Sequence, residues 1–438
     1  MSRLNSVYVA LIAMGIGLIS ACSHDAPSEA EPRDSAADYS ASPSPASPAI
    51  IDAAPGRIAA SEKSSRIAKA PSQRQPRTGV VTAGDIDDTL NVAAFQTYLK
   101  RKKRTVGTPT ANFSRPFMAQ LVGPNGQPAA GVYFTLRKPG APEPFYSGHS
   151  GVDGNITVFP ATLGAGQFRQ VEFRAITDGQ TGTTIKVLKT GLNRHKIALA
   201  DKTRWTPAFL DLAFVVDTTG SMGDELDWLT REMRSIVDVA RKAAPGVDIR
   251  FSLVVYRDHG DAYIVRNMGF SNSAATMQRW LKRQNASGGG DYPEAAAAAL
   301  KSAVNLNWRR GKGERILFHI ADAPPHARDA RTYLAAARTA AKRNIQIFGL
   351  GASGVADEAE LLMRQAAAMT SGRYLFLTDD SGVGLSHAEP DIACYRVTKL
   401  KDLLIRVLKS ELSGTRIEAA KSSIIREVGA YRRGICLN

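Results

Sequence analysis

The chain has 438 residues, 44% of them hydrophobic, and a formal net charge of +15. That length and apolar content give room for two or three domains with at least one sizeable core. The charge suggests nucleic acid, but the pattern argues against it. The run Lys100-Arg101-Lys102-Lys103-Arg104 carries no interleaved stacking aromatics and reads as a solvated helix end, so a basic surface of this kind better suits anionic lipid head groups or acidic polymers.

Arg3 precedes an apolar stretch over 7–21, too short to span a bilayer but the right length for the core of a secretory signal, and it ends Ile19-Ser20-Ala21-Cys22. This ending resembles a bacterial lipoprotein signal. The resemblance implies that 1–21 are removed and Cys22 is lipidated, and Ser23, not being aspartate, favours an outer-membrane lipoprotein of the cell envelope. Of the three cysteines that leaves Cys394 and Cys436 in an oxidising compartment, where one disulfide is expected and two separate buried thiols are the alternative. Residues 22–79 are rich in Ala, Ser and Pro and read as a disordered tether.

Over 80–104, Ile86, Leu90, Ala94 and Leu99 recur at near-helical spacing behind a cap at Asp85 or Asp87, so one amphipathic helix is expected there. From 110 to 200 the pattern changes to short strands at 117–122, 132–137, 155–159, 171–176, 183–188 and 196–199, separated by turns such as Pro124-Asn125-Gly126-Gln127. This reads as a small β-sandwich spacer. The stretch 125–132 loosely resembles transthyretin-like and carboxypeptidase-regulatory modules.

Over 205–412 strand and helix alternate, with strands near 210–216, 249–255, 262–268, 315–321, 345–349 and 373–377, and a last helix from 400 to 412 leads into an extension over 413–438. The expectation is an α/β fold with a doubly wound, mostly parallel sheet. The connection 257–261 is too brief for a crossover helix, so the strands beside it should form an antiparallel pair at one edge. Apolar strands covered on both faces collect ligands at their carboxyl ends. The run Leu210-Asp211-Leu212-Ala213-Phe214-Val215-Val216 ends in Asp217-Thr218-Thr219-Gly220-Ser221-Met222, so a carboxylate and hydroxyls converge there as a hard-cation site. Leu226, Leu229, Met233, Ile236, Val237 and Ala240 then form a helical stripe. Two further pieces are the loop Gly288-Gly289-Gly290-Asp291-Tyr292-Pro293-Glu294 and a second buried strand ending Ile320-Ala321-Asp322.

Together these loops resemble a von Willebrand factor type A domain, over about 205–412, in the branch that also carries Tyr256-Arg257-Asp258 and Asp322-Ala323-Pro324-Pro325-His326. The resemblance implies a metal-ion-dependent adhesion site with Asp217, Thr219, Ser221 and Asp322 as ligands of a divalent cation, Mg2+ first, Mn2+ or Ca2+ otherwise. It further implies a protein or acidic polymer of the envelope as the captured partner, and no catalysis. Thr219 stands where the family usually has serine, and Asp291 where it usually has threonine. A third carboxylate over-neutralises the ion. Either the ion is held more tightly, or Asp291 binds through water.

Competing chemistries explain less. A hydrolase would use Ser221, or a metal-bound water, with His319 or His326 as base, but the first glycine of a nucleophile elbow is missing. Gly349-Leu350-Gly351-Ala352-Ser353-Gly354 matches a dinucleotide fingerprint but comes late and opens no helix. Asp258, His259 and Asp261 read as a capped turn, with a second cation site as the alternative. His387, Glu389 and Cys394 lack zinc spacing, and His149 and His195 read as surface residues.

Overall fold

The structure, a computed structural model, describes residues 80–177, 183–290, 292–352, 354–381 and 390–437. Cys22, the signal and the tether, as well as Asp291, His387 and Glu389, lie outside the described residues.

The segment expected to be one helix is instead a strand and a helix, β1 (Thr82–Ile86) and α1 (Val92–Thr105). β1 lies fully buried between two strands from the far end of the chain and pairs antiparallel with both. Its sequence Thr-Ala-Gly-Asp-Ile carries two residues that strands disfavour, so no local signal announces it. Tertiary contacts make it a strand. Gly84 lets the aromatic rings of Phe376 and Tyr395 close over the backbone, since a Cβ there would lie 2.6 Å from Phe376. Buried Asp85 is surrounded by Arg373, Arg406 and Arg416 at 3.5, 3.8 and 3.9 Å. Burial works against its charge, but the three guanidiniums hold its carboxyl below the usual range.

Next come β2 (Phe117–Val122), β3 (Tyr133–Arg137), β4 (Tyr146–His149), β5 (Asn155–Val158), β6 (Gln170–Ile176), β7 (Thr183–Lys189) and β8 (His195–Ala198). They form two sheets, ordered β5-β2-β8 and β4-β3-β6-β7. Phe117 of one sheet stacks on Phe173 of the other with ring centroids 5.6 Å apart, so inward aromatics fill a small sandwich. β4 was not foreseen, because Tyr-Ser-Gly-His has neither alternation nor β-branching.

The remaining chain alternates: β9 (Phe209–Asp217), α2 (Gly223–Ala243), β10 (Asp248–Tyr256), β11 (Val265–Ser271), α3 (Ala274–Lys282), α4 (Ala296–Val304), β12 (Glu314–Ala321), α5 (Ala330–Lys342), β13 (Gln346–Gly351), α6 (Asp357–Met369), β14 (Tyr374–Leu377), β15 (Tyr395–Lys399), α7 (Leu400–Ser413), β16 (Arg426–Val428), β17 (Tyr431–Arg432) and β18 (Ile435–Cys436). Among the described residues one sheet of nine strands runs β11-β10-β9-β12-β13-β14-β1-β15-β16. β10, β9, β12, β13 and β14 are parallel, and β11 is the antiparallel edge. Every residue of β9 is buried. Leu210, Leu212, Phe214 and Val216 pack with the stripe of α2 and with Leu403, Leu404 and Val407 of α7, while Ala213 and Val215 belong to the core under α4, α5 and α6. That second core continues into the sandwich, whose Phe117, Phe134 and Phe173 share it with Leu317 and Ile347. The sandwich is therefore fused to the α/β unit. The end of the chain is fused too, with β16 extending the sheet and Cys436 joined to Cys394 by a disulfide across 5.4 Å of Cα separation.

Gly349 and Gly351 serve packing. A Cβ on Gly349 would meet Met363 of α6 at 2.7 Å, and one on Gly351 the Tyr374 hydroxyl at 2.5 Å. The fingerprint-like spacing thus reflects close packing, against a helix at Gly349 and against a neighbouring strand's tyrosine at Gly351.

Candidate functional site

β9 and β12 are neighbours whose following helices lie on opposite faces, so their carboxyl ends flank the switch point of the sheet. Asp217 ends β9 fully buried, and Thr219 turns back on it, its N–H and hydroxyl both donating to Asp217 Oδ1 at 2.9 and 2.7 Å. Thr218 points away, donating to the Tyr256 carbonyl at 2.8 Å. Ser221 is exposed, and its hydroxyl hydrogen-bonds the carboxylate of buried Asp322, just past β12. Asp217, Thr219, Ser221 and Asp322 therefore meet at one rim.

The second loop folds onto the first through backbone. Gly220 N–H donates to the Gly288 carbonyl at 3.1 Å and Ser287 N–H to the Thr218 carbonyl at 3.0 Å. Gly288 and Gly289 have φ of +80° and +77°, and a Cβ would strike Asp261 in the first case and Glu294 in the second. The loop's far end is pinned by Glu294 N–H to the Pro324 carbonyl at 2.9 Å and by the Tyr292 hydroxyl to the Asp322 carbonyl at 2.9 Å.

Glu294 is the residue that sequence reasoning missed. It is 4% exposed, and the Cβ that Gly289 lacks would lie 2.8 Å from its Oε1 and 3.1 Å from Thr219 Cβ. A signal existed: Glu294 is the charged residue at the head of the run Ala295-Ala296-Ala297-Ala298-Ala299, which must enter the core and carry it inward.

Among the described residues, three buried carboxylate oxygens here have no hydrogen-bond partner: Asp217 Oδ2, Asp322 Oδ1 and Glu294 Oε2. Burial, offset by Thr219 and reinforced by the Asp322 charge, lifts Asp217 to about 7. Burial and the charges of Asp217, Asp258, Asp261 and Asp322 push Glu294 up to about 9, and burial raises Asp322 against the Ser221 hydrogen bond. Carboxylates gathered this closely are stable as anions only beside a cation. Their orphaned oxygens, with two hydroxyls, are the donor set of a hard divalent ion.

Both histidines offered to Ser221 as bases are placed elsewhere. His319 is buried between the Tyr256 hydroxyl at 3.2 Å and the Tyr333 hydroxyl at 2.9 Å, and burial lowers it to about 3. His326 Nε2 lies 2.7 Å from Asp258 Oδ1, so it partners Asp258 rather than Ser221. Asp261 caps the turn as expected, its Oδ2 accepting from Asp258 N–H at 3.0 Å. His149 departs from its reading as a surface residue, because it is half-buried beneath the sandwich, where desolvation lowers it to about 4.

Comparison with known proteins points to one domain family. The family described as von Willebrand factor A domain matches residues 211–385. An alpha-protein kinase, vwkA, of Dictyostelium discoideum is 28% identical over 32% of this chain and 23% of its own length. The human von Willebrand factor A domain-containing protein 7 is 33% identical over 23% of this chain and 10% of its own. A putative ariadne-like RING finger protein of Acanthamoeba polyphaga mimivirus is 34% identical over 27% of this chain and 11% of its own. The chain thus spans between a tenth and a quarter of these relatives. A solved structure, the conserved hypothetical protein BatB of Bacteroides thetaiotaomicron, aligns over 41% of this chain and 91% of that chain with a TM-score of 0.31 and 14% identity. Residues 211–385 of the chain thus form a von Willebrand factor A domain.

Proposed function

We propose that this chain is a lipid-anchored protein of the bacterial cell envelope that captures a protein or acidic polymer through a divalent cation held by Asp217, Thr219, Ser221 and Asp322, with Glu294 facing them from the second loop. Von Willebrand factor A domains serve in protein interaction, and many bind such a cation. The observation that carries the reading is the convergence on one rim of three buried carboxylate oxygens with no hydrogen-bond partner among the described residues. All-oxygen donors favour Mg2+, with Mn2+ or Ca2+ as alternatives. When bound, the ion supplies an electrophilic position for an acidic group of the partner. Asp217 and Asp322 contribute charge, Thr219 fixes the Asp217 rotamer, and Ser221, at the exposed lip, adds a hydroxyl beside the partner. With Glu294 present, the pull on a partner's acidic group is weaker than at a two-carboxylate site, and Asp291 ligates directly or through water.

The test is titration of the chelator-stripped full chain with Mg2+ and Mn2+, followed by calorimetry and thermal melting, and a pull-down from envelope extract with and without chelator. Both ions should raise the melting temperature. Asp217→Ala should abolish that rise and the capture while the ion-free variant melts no lower than its parent, because one of several repelling buried carboxylates is gone. Capture that persists unchanged in chelator, or an Asp217→Ala protein that still responds to Mg2+, refutes the reading.

A further inference from the structure

Beside this cluster on the same rim, one carboxylate and two imidazoles come together. Asp258 and His259 lie in the connection between β10 and β11, and His326 lies past β12 in the loop that begins at Asp322. A ligating atom from each of Asp258, His259 and His326 lies within 4.8 Å of the others. The rings of His259 and His326 have centroids 5.5 Å apart. Burial is graded: Asp258 is buried, His326 intermediate and His259 exposed, so the donor set opens to solvent on its histidine side.

The frame around it is stiff. Asp261 Oδ2 accepts from the N–H of both Asp258 and Gly289, each at 3.0 Å, which ties this turn to the glycine loop. Arg257 donates to the Asn285 carbonyl at 2.9 Å, and its own carbonyl accepts from Ala295 N–H at 3.2 Å. A second observation is geometric: Glu294 is buried, its Oε2 has no hydrogen-bond partner among the described residues, and it packs against Gly289, whose N–H is held by Asp261.

Two imidazoles and a carboxylate are a poor cage for Mg2+ or Ca2+, which take oxygen, and a suitable one for Zn2+ and its neighbours, which take nitrogen with oxygen and leave positions open. We propose that Asp258, His259 and His326 form a second metal site, selective for a divalent transition ion of the zinc class, next to the oxygen-donor site at Asp217. The rim then holds two sites of different hardness, and the second stands whether or not the first binds Mg2+.

The test uses the full chain, stripped of metal and titrated with Zn2+ in saturating Mg2+ by calorimetry, with Co2+ as a visible-absorption probe. The parent should take up a single tight equivalent of Zn2+ despite the Mg2+, and its Co2+ complex should show ligand-field bands of a nitrogen-containing site. His259→Ala should weaken Zn2+ by at least about tenfold. This side chain is exposed, so its removal leaves the fold intact. His326→Ala should remove the tight equivalent and the Co2+ bands, with circular dichroism reporting the fold. Asp217→Ala should keep both signals. Zn2+ affinity unchanged in both histidine variants, or lost in Asp217→Ala and kept in them, overturns the proposal.

Discussion

Beneath the sandwich, half-buried Glu314 at the start of β12 faces buried Glu411 of α7, and a desolvated carboxylate beside another gains nothing from its charge. Burial and the Glu411 charge, against the relief of Arg315, push Glu314 up to about 8. A carboxyl raised in the fold contributes stability fully present below its unfolded value, near 4.5, and lost as pH rises through about 8. Glu314→Gln should therefore stabilise at pH 8 by on the order of 1 to 3 kcal/mol and change little at pH 4. Urea denaturation at the two pH values checks this, and an equal effect at both removes the explanation. At the same scale, the site was legible in part. Asp217, Thr219, Ser221 and Asp322 lie at or just past the ends of two long, almost wholly buried strands, so local sequence announces where their side chains emerge. Glu294 is placed by the glycine loop folding back, and His326 meets Asp258 from 68 residues away, which no spacing along the chain reports.

At the level of elements, strands and helices with a strong period stood out in the sequence, including the antiparallel edge pair, because loop length alone forbids a crossover there. β1 did not. Its slot exists only once β14 and β15 are in place, and its glycine is there for the rings that cover it. Gly84→Val should cost about 1 to 3 kcal/mol through overpacking against Phe376 and Tyr395. The drop should appear in the urea midpoint and in faster hydrogen exchange of β14 and β15. Exchange confined to β1 itself, with no change in midpoint, would mean the strand is an ornament on the sheet's edge-facing side.

For the whole molecule, the resemblance at Ile19-Ser20-Ala21-Cys22 carries a further expectation. Cys22→Ala should release the protein from the membrane fraction or leave it as an uncleaved precursor, and fractionation and processing identical to the parent would exclude lipidation at that thiol. The fused architecture bears on how the molecule is made. β1 pairs with residues 374–377 and with 398–399, and the arginines that neutralise Asp85 sit at 373, 406 and 416. Among the described strands β1 is made first, yet the two that receive it, at 374–377 and 395–399, lie about 290 residues or more further along. Contacts this distant in sequence close slowly, since a long loop must be ordered before they are rewarded. The β1 segment therefore waits without its partner strands while residues 87–373 emerge, and the nascent protein depends on whatever keeps that unpaired segment from finding another strand.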